Sequence, residues 1–94
     1  MLDSVYVQSE GLMTRNIAGE TLIVPIRNRV GDLDSIYTLN EVGVRVWSLV
    51  DGQTSVNQMV ATISDEYEVD QATARQDIAE LLEDLAGAKL IRQV

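Results

Sequence analysis

The chain has 94 residues, enough for one small domain and near the lower limit at which a core forms without disulfides or metals. It is 46% hydrophobic with one proline, the composition of a folded chain, and it has no cysteine or histidine, which excludes disulfides, thiolate zinc sites, cysteine nucleophiles and imidazole bases. Fifteen Asp/Glu against seven Lys/Arg give a net charge of −8, with nine acidic and three basic residues after position 45, so phosphate backbones and anionic lipid are repelled.

Val5-Tyr6-Val7 opens the chain with a short β-prone run. Leu12 to Ile17 and Glu20 to Ile26 flank Ala18-Gly19, and the three pieces read as a hairpin. Pro25 lacks an amide donor and belongs near a strand end or on an edge. Arg27 to Asp34 is polar with Gly31 in its middle, a loop, and Ser35 to Leu39 returns as a short third strand. An antiparallel sheet of about three strands is the simplest arrangement.

The next segment admits two periods. Val42, Val44 and Val46 alternate as in a strand, but the alternation fails at Ser48. Leu39, Val42, Gly43, Val46, Leu49 and Val50 instead share one helical stripe, with Trp47 on its flank, which predicts a helix from about Asn40 to Val50. Thr38 and Glu41 have capping-box spacing, Asn40 is an alternative cap, and Asp51-Gly52 supplies a left-handed stop. A second helix starts at the Ser55/Gln58 box, carries Val56, Met59, Val60, Ile63 and Tyr67 inward, and ends in the acidic turn Asp65 to Asp70. Asp70 caps a third, Gln71 to Ala86, with Ala74, Ile78, Leu81, Leu82 and Leu85 inward and Gly87 as its stop. Leu90 to Val94 is an extended tail, placed either as a short strand or as a cover for the core. The fold class is therefore α+β: a small N-terminal antiparallel sheet followed by three helices, winged-helix-like, in a single domain over residues 1–94.

No segment carries chemistry. There is no phosphate-binding glycine loop, no G-x-S-x-G elbow and no calcium loop, so no enzyme, metal site or cofactor is expected. Trp47 reads as a core anchor, and Glu80, Glu83 and Asp84 as a solvated acidic face without loop carbonyls to complete a cation shell. A winged-helix regulator is the alternative reading, but a DNA reader needs basic residues where the third helix has Asp77, Glu80, Glu83 and Asp84. No apolar run reaches the roughly 20 residues of a membrane span and the N-terminus lacks signal-peptide character, which places the chain in the cytoplasm. The promising feature is geometric. The third strand lies at one side of the sheet, and its unpaired edge suits a peptide that adds as a further strand, with the third helix as the other wall.

The order Leu39-Asn40, Gly43, Val46-Trp47, Leu49-Val50-Asp51-Gly52 and Thr54-Ser55-Val56 resembles the signature of PqqD-like proteins, the pyrroloquinoline quinone biosynthesis protein D family. Met13 to Ile17 and Gly19 to Leu22 are similar to that family's first hairpin, and Asp77 to Leu85 with Ala88 to Ile91 to its third helix and end. The resemblance implies a non-enzymatic peptide chaperone for ribosomally made, later modified peptides. Its partners are then the leader of a precursor peptide, bound as an added strand, and a modifying enzyme, often a radical S-adenosylmethionine enzyme; the chain itself is a monomer or homodimer. Carried onto this sequence, Ser35, Ile36, Tyr37 and Thr38 supply the pairing edge. Ala72, Arg75, Gln76, Ala79 and Leu82 of the third helix line the groove, with Arg75 available to a leader carboxylate.

Overall fold

In the computed structural model the described residues are 3–25 and 36–94; the loop expected over Arg27 to Asp34, and Ser35 at the start of the expected third strand, lie outside them. Strand β1 is Val5–Gln8, and β2 (Leu12–Ile17) and β3 (Glu20–Pro25) form the expected hairpin, paired from Ile17↔Glu20 back to Leu12↔Pro25. Its turn residues have φ of 54° at Ala18 and 83° at Gly19. Positive φ at both central positions is the type I′ geometry, whose twist matches that of the flanking strands. Strand β4 (Tyr37–Leu39) then pairs with β3 through Thr21↔Leu39, Leu22↔Thr38 and Ile23↔Tyr37, completing a sheet of order β2-β3-β4.

Three capped helices follow. Helix α1 (Glu41–Leu49) starts at Asn40, whose Oδ1 accepts from the Gly43 amide at 2.7 Å. Thr38, the other candidate cap, is inside β4. Gly43 permits this close turn, because a Cβ there would lie 3.1 Å from Asn40 Oδ1 and 3.2 Å from Leu39 Cδ2. Helix α2 (Val56–Tyr67) opens with the full capping box, the Ser55 hydroxyl accepting from the Gln58 amide at 3.2 Å and Gln58 Oε1 accepting from the Ser55 amide at 2.9 Å. Helix α3 (Gln71–Gly87) is capped by Asp70, which accepts from the Thr73 amide at 2.7 Å.

A second sheet departs from the sequence reading. Val50 caps α1, and Asp51-Gly52, expected as the helix stop, instead opens a strand, β5 (Asp51–Ser55). Gly52 does adopt a positive φ, 81°, but it does so within β5, where the register shifts between the Val5↔Ser55 and Val7↔Asp51 pairs. The tail forms β6 (Ile91–Gln93), and β1 lies between the two in the order β5-β1-β6. Leu90 and Ile91 are also buried, so the tail both pairs and covers.

The core lies where both sheets meet the helices. Ile23 and Leu39 enter from β2-β3-β4, Val46, Trp47 and Val50 from the α1 end, Met59 and Ile63 from α2, and Ile78 and Leu85 from α3. Trp47 is 7% exposed and therefore structural. The hairpin projects beyond this core: along β2 only Leu12 is even partly covered, and Ile17 at the tip is 53% exposed.

Candidate functional site

The hairpin turn determines which atoms of β4 are free. In a two-residue hairpin the residues flanking the turn exchange hydrogen bonds, so Ile17 and Glu20 form a bonded pair, and by alternation Leu22 and Val24 also bond toward β2. Thr21 and Ile23 must then direct their N–H and C=O groups toward β4. Their partners are Leu39 and Tyr37. The main-chain groups of Tyr37 and Leu39 are consequently used inside the sheet, while those of Thr38, and of Ile36 by the same parity, point outward from the terminal strand. Side chains alternate on the other axis: Leu39 is buried and Tyr37 partly so, whereas Thr38 and Ile36 face solvent.

Helix α3 comes near both ends of β4. Burial pushes the Tyr37 phenol above its ordinary pKa, and the nearby Asp84 carboxylate pushes it further in the same direction. At the other end of β4, Asn40, Val42, Gly43 and Val46 share a recess of about 390 Å³ with Asp77, Ile78 and Leu81. Helix α3 thus runs antiparallel to β4, Asp84 beside Tyr37 and Asp77 beside Asn40. Asp77, Ile78 and Leu81 are the α3 residues that share a recess with Asn40 at the end of β4.

The sequence-derived site residues fall in different places. Ile36, Tyr37 and Thr38 are together on the edge, and Ser35 lies outside the described residues. Ala79 and Leu82 are on the other flank of α3, where they line an apolar recess of about 270 Å³ with Tyr6, Val56, Glu83 and Ala86. Leu82 is 4% exposed, a core residue first. Arg75 is exposed on that same flank, and Ala72 and Gln76 are exposed on the side of the helix away from its buried stripe. None of Ala72, Arg75, Gln76, Ala79 and Leu82 lines the recess that α3 shares with Asn40 at the end of β4. Sequence reasoning placed Asp77 and Asp84 on the solvated face and Leu81 in the core; a half-buried leucine between two acidic residues was the available signal.

A larger recess, about 820 Å³, lies between the hairpin end at Gly19-Glu20 and the outer face of α1. Size does not make it the site. Glu20, Glu41 and Arg45 are among its lining residues, and Arg45 is held by Glu66 in a two-bond pair at 2.9 Å each, which lowers the Glu66 pKa and raises that of Arg45. That pair joins α1 to α2. Among the described residues no group of acidic side chains is arranged to hold a metal ion, and no helix is long and apolar enough to cross a membrane.

Comparison with known proteins adds to this geometry. Residues 20–91 match the family described as Coenzyme PQQ synthesis protein D (PqqD). Among curated proteins nothing matches. Among solved structures the chain is similar to one described as TbiB1 in complex with the TbiA(beta) leader peptide, with a TM-score of 0.72 and 27% identity, covering 92% of this chain and 94% of that one.

Proposed function

The chain belongs to the PqqD family, and from that premise we propose that it is a non-enzymatic adaptor: it takes the leader of a ribosomally made precursor peptide as an added strand on β4 and presents it to a modifying enzyme. The observation that carries the reading is the outward main chain of Ile36 and Thr38 on a strand that is terminal among the described residues. Added main-chain hydrogen bonds supply affinity, and alternate side chains facing α3 supply selectivity. The similarity to a structure of TbiB1 with a leader peptide supports the same choice of ligand. The modifying enzyme is of the radical S-adenosylmethionine type that the family resemblance implies, and the adaptor works in the cytoplasm where precursor peptides are made. The alternative as a DNA-binding regulator loses support from the acidic side chains on α3 and the net charge of −8.

Fluorescence anisotropy with the leader and core halves of the precursor encoded beside its gene tests the proposal. Saturable binding of the leader and none of the core half is the expected result. Binding of both halves alike, or of neither, contradicts it, and salt-sensitive binding of a DNA duplex instead would favour the regulator.

A further inference from the structure

We propose that the recess between α1 and α3 selects a basic side chain on the incoming strand, together with an apolar side chain two residues along that rests on Leu81. This rests on the strand-addition reading above and adds to it the chemistry of the peptide.

Three observations carry the inference. First, the two walls of the groove match in length. From Asp77 to Asp84 is seven helical residues, about 10 Å at 1.5 Å each, and from Tyr37 to Asn40 is three extended residues, also about 10 Å. A strand laid on the β4 edge toward Asn40 therefore reaches the recess that Asp77 and Leu81 line. Second, Asp77 and Leu81 are four residues apart on the helix, about 6 Å, close to the roughly 6.7 Å between side chains on one face of a strand. Two successive side chains facing α3 thus meet one carboxylate and one leucine.

Third, the recess is amphipathic in the way a lysine or arginine is. Val42, Val46 and Ile78 form its floor and Asp77 stands exposed at its rim. A long basic side chain lays its methylene stem along such a floor and keeps its cation at the rim. Among the described residues the ion pair is Arg45 with Glu66, on the far side of α1, so neither Asp77 nor Asp84 is neutralised by another described side chain. An acidic side chain entering here meets the like charge of Asp77, and a purely apolar one leaves the carboxylate unused.

The test uses short fluorescein-labelled peptides on an alternating Thr/Val background, identical except that one position holds Lys, norleucine or Glu, with Leu two residues along. Each is measured by anisotropy, and by competition with the natural leader, against wild type, Asp77→Asn, Asp77→Lys and, on the other flank of α3, Arg75→Gln. The expected result is that wild type prefers Lys over norleucine by roughly fivefold, the scale of a partly exposed ion pair. That preference should vanish in Asp77→Asn and persist in Arg75→Gln, and Asp77→Lys should bind the Glu peptide better than wild type does. Equal affinity of wild type for Lys and norleucine, or a lysine preference kept by Asp77→Asn, overturns this inference while leaving strand addition in place. Failure of every peptide to compete with a leader that binds elsewhere overturns both. Asp77 is exposed, so circular dichroism is expected to show all variants folded.

Discussion

In the β5-β1-β6 sheet the amides of Gln53 and Thr54 donate to the Asp51 carboxylate at 2.9 Å each, and the Ser55 amide donates to Gln58 Oε1 at 2.9 Å. In the β2-β3-β4 sheet the outward amide of Thr38 has no such acceptor among the described residues. Both sheets have three antiparallel strands, but the β5 edge of the first is capped by its own chain. Its members are also tied at their ends, Val56 N to Ser4 O at 2.9 Å, Ser9 N to Leu90 O at 2.9 Å and Val94 N to Val5 O at 2.8 Å. The second projects its hairpin beyond the core and leaves a row of main-chain groups for another strand. An unpaired edge is a liability that proteins ordinarily blunt, and among the described residues β5 is blunted while the β4 edge has no partner. The difference separates a scaffold sheet from a working one.

Substitutions can break that division, and the largest effect is expected at the one residue anchoring the open sheet most deeply. Ile23 is 0% exposed, so Ile23→Ala should cost about 3 kcal/mol in urea unfolding, whereas Ile17→Ala at the exposed tip should cost less than about 0.5 kcal/mol. Comparable losses at both positions would mean that the hairpin is held along its whole length. Next come two proline substitutions that separate pairing from binding. Tyr37→Pro removes an amide used by β3 and is expected to destabilise the fold by about 1–3 kcal/mol. Thr38→Pro removes only an outward amide, so stability should change little while leader affinity falls roughly tenfold. A reversal of the two phenotypes would place the free edge on the other parity.

The closed sheet has its own signature, in acid. The Gln53 and Thr54 amides hold the Asp51 carboxyl below its ordinary 3.8. The unfolded chain therefore binds the proton more readily, and the stabilisation is full above 3.8 and is lost as pH falls through the depressed native value. Asp51→Asn keeps an oxygen acceptor without the charge, so its unfolding midpoint should fall less over that acid range than the wild-type midpoint does. Identical acid profiles would remove Asp51 from the account of how β5 is closed. The smallest effect belongs to the open sheet. Ala18 at φ 54° occupies a turn position that favours asparagine before glycine, and Ala18→Asn should stabilise the protein by about 0.5 kcal/mol, read as a rise in Tm.

The helices were legible because each start has a side chain that can cap it: the Ser55/Gln58 box and Asp70 cap as expected, and at the first helix the alternative, Asn40, caps in place of the Thr38/Glu41 box because Thr38 is taken into β4. The hairpin was legible from two β-rich runs around Ala18-Gly19. Strand β5 was not, because Asp51-Gly52-Gln53-Thr54-Ser55 has no apolar alternation and exists as a strand through its main-chain pairing with β1. At the site, the edge strand could be placed from chain order, but the facing wall could not. A helical wheel gives α3 one buried stripe with two flanks, and nothing local distinguishes Arg75 and Ala79 on one from Asp77 and Asp84 on the other. That choice is made by tertiary packing, which sets Tyr37 beside Asp84 and Tyr6 beside Ala79. The parity of β4 was equally hidden, since it follows from the bonded pair at a turn twenty residues earlier in the chain.

The central claim, that the β4 edge receives a strand and the β5 edge does not, is tested most directly by amide hydrogen exchange read by NMR with and without saturating leader peptide. The account predicts that the outward amides of Ile36 and Thr38 become protected on binding, that the Tyr37 and Leu39 amides, already paired, change little, and that Gln53 and Thr54 keep their exchange rates. New protection at Gln53 and Thr54, with Ile36 and Thr38 exchanging as in the free protein, would contradict it.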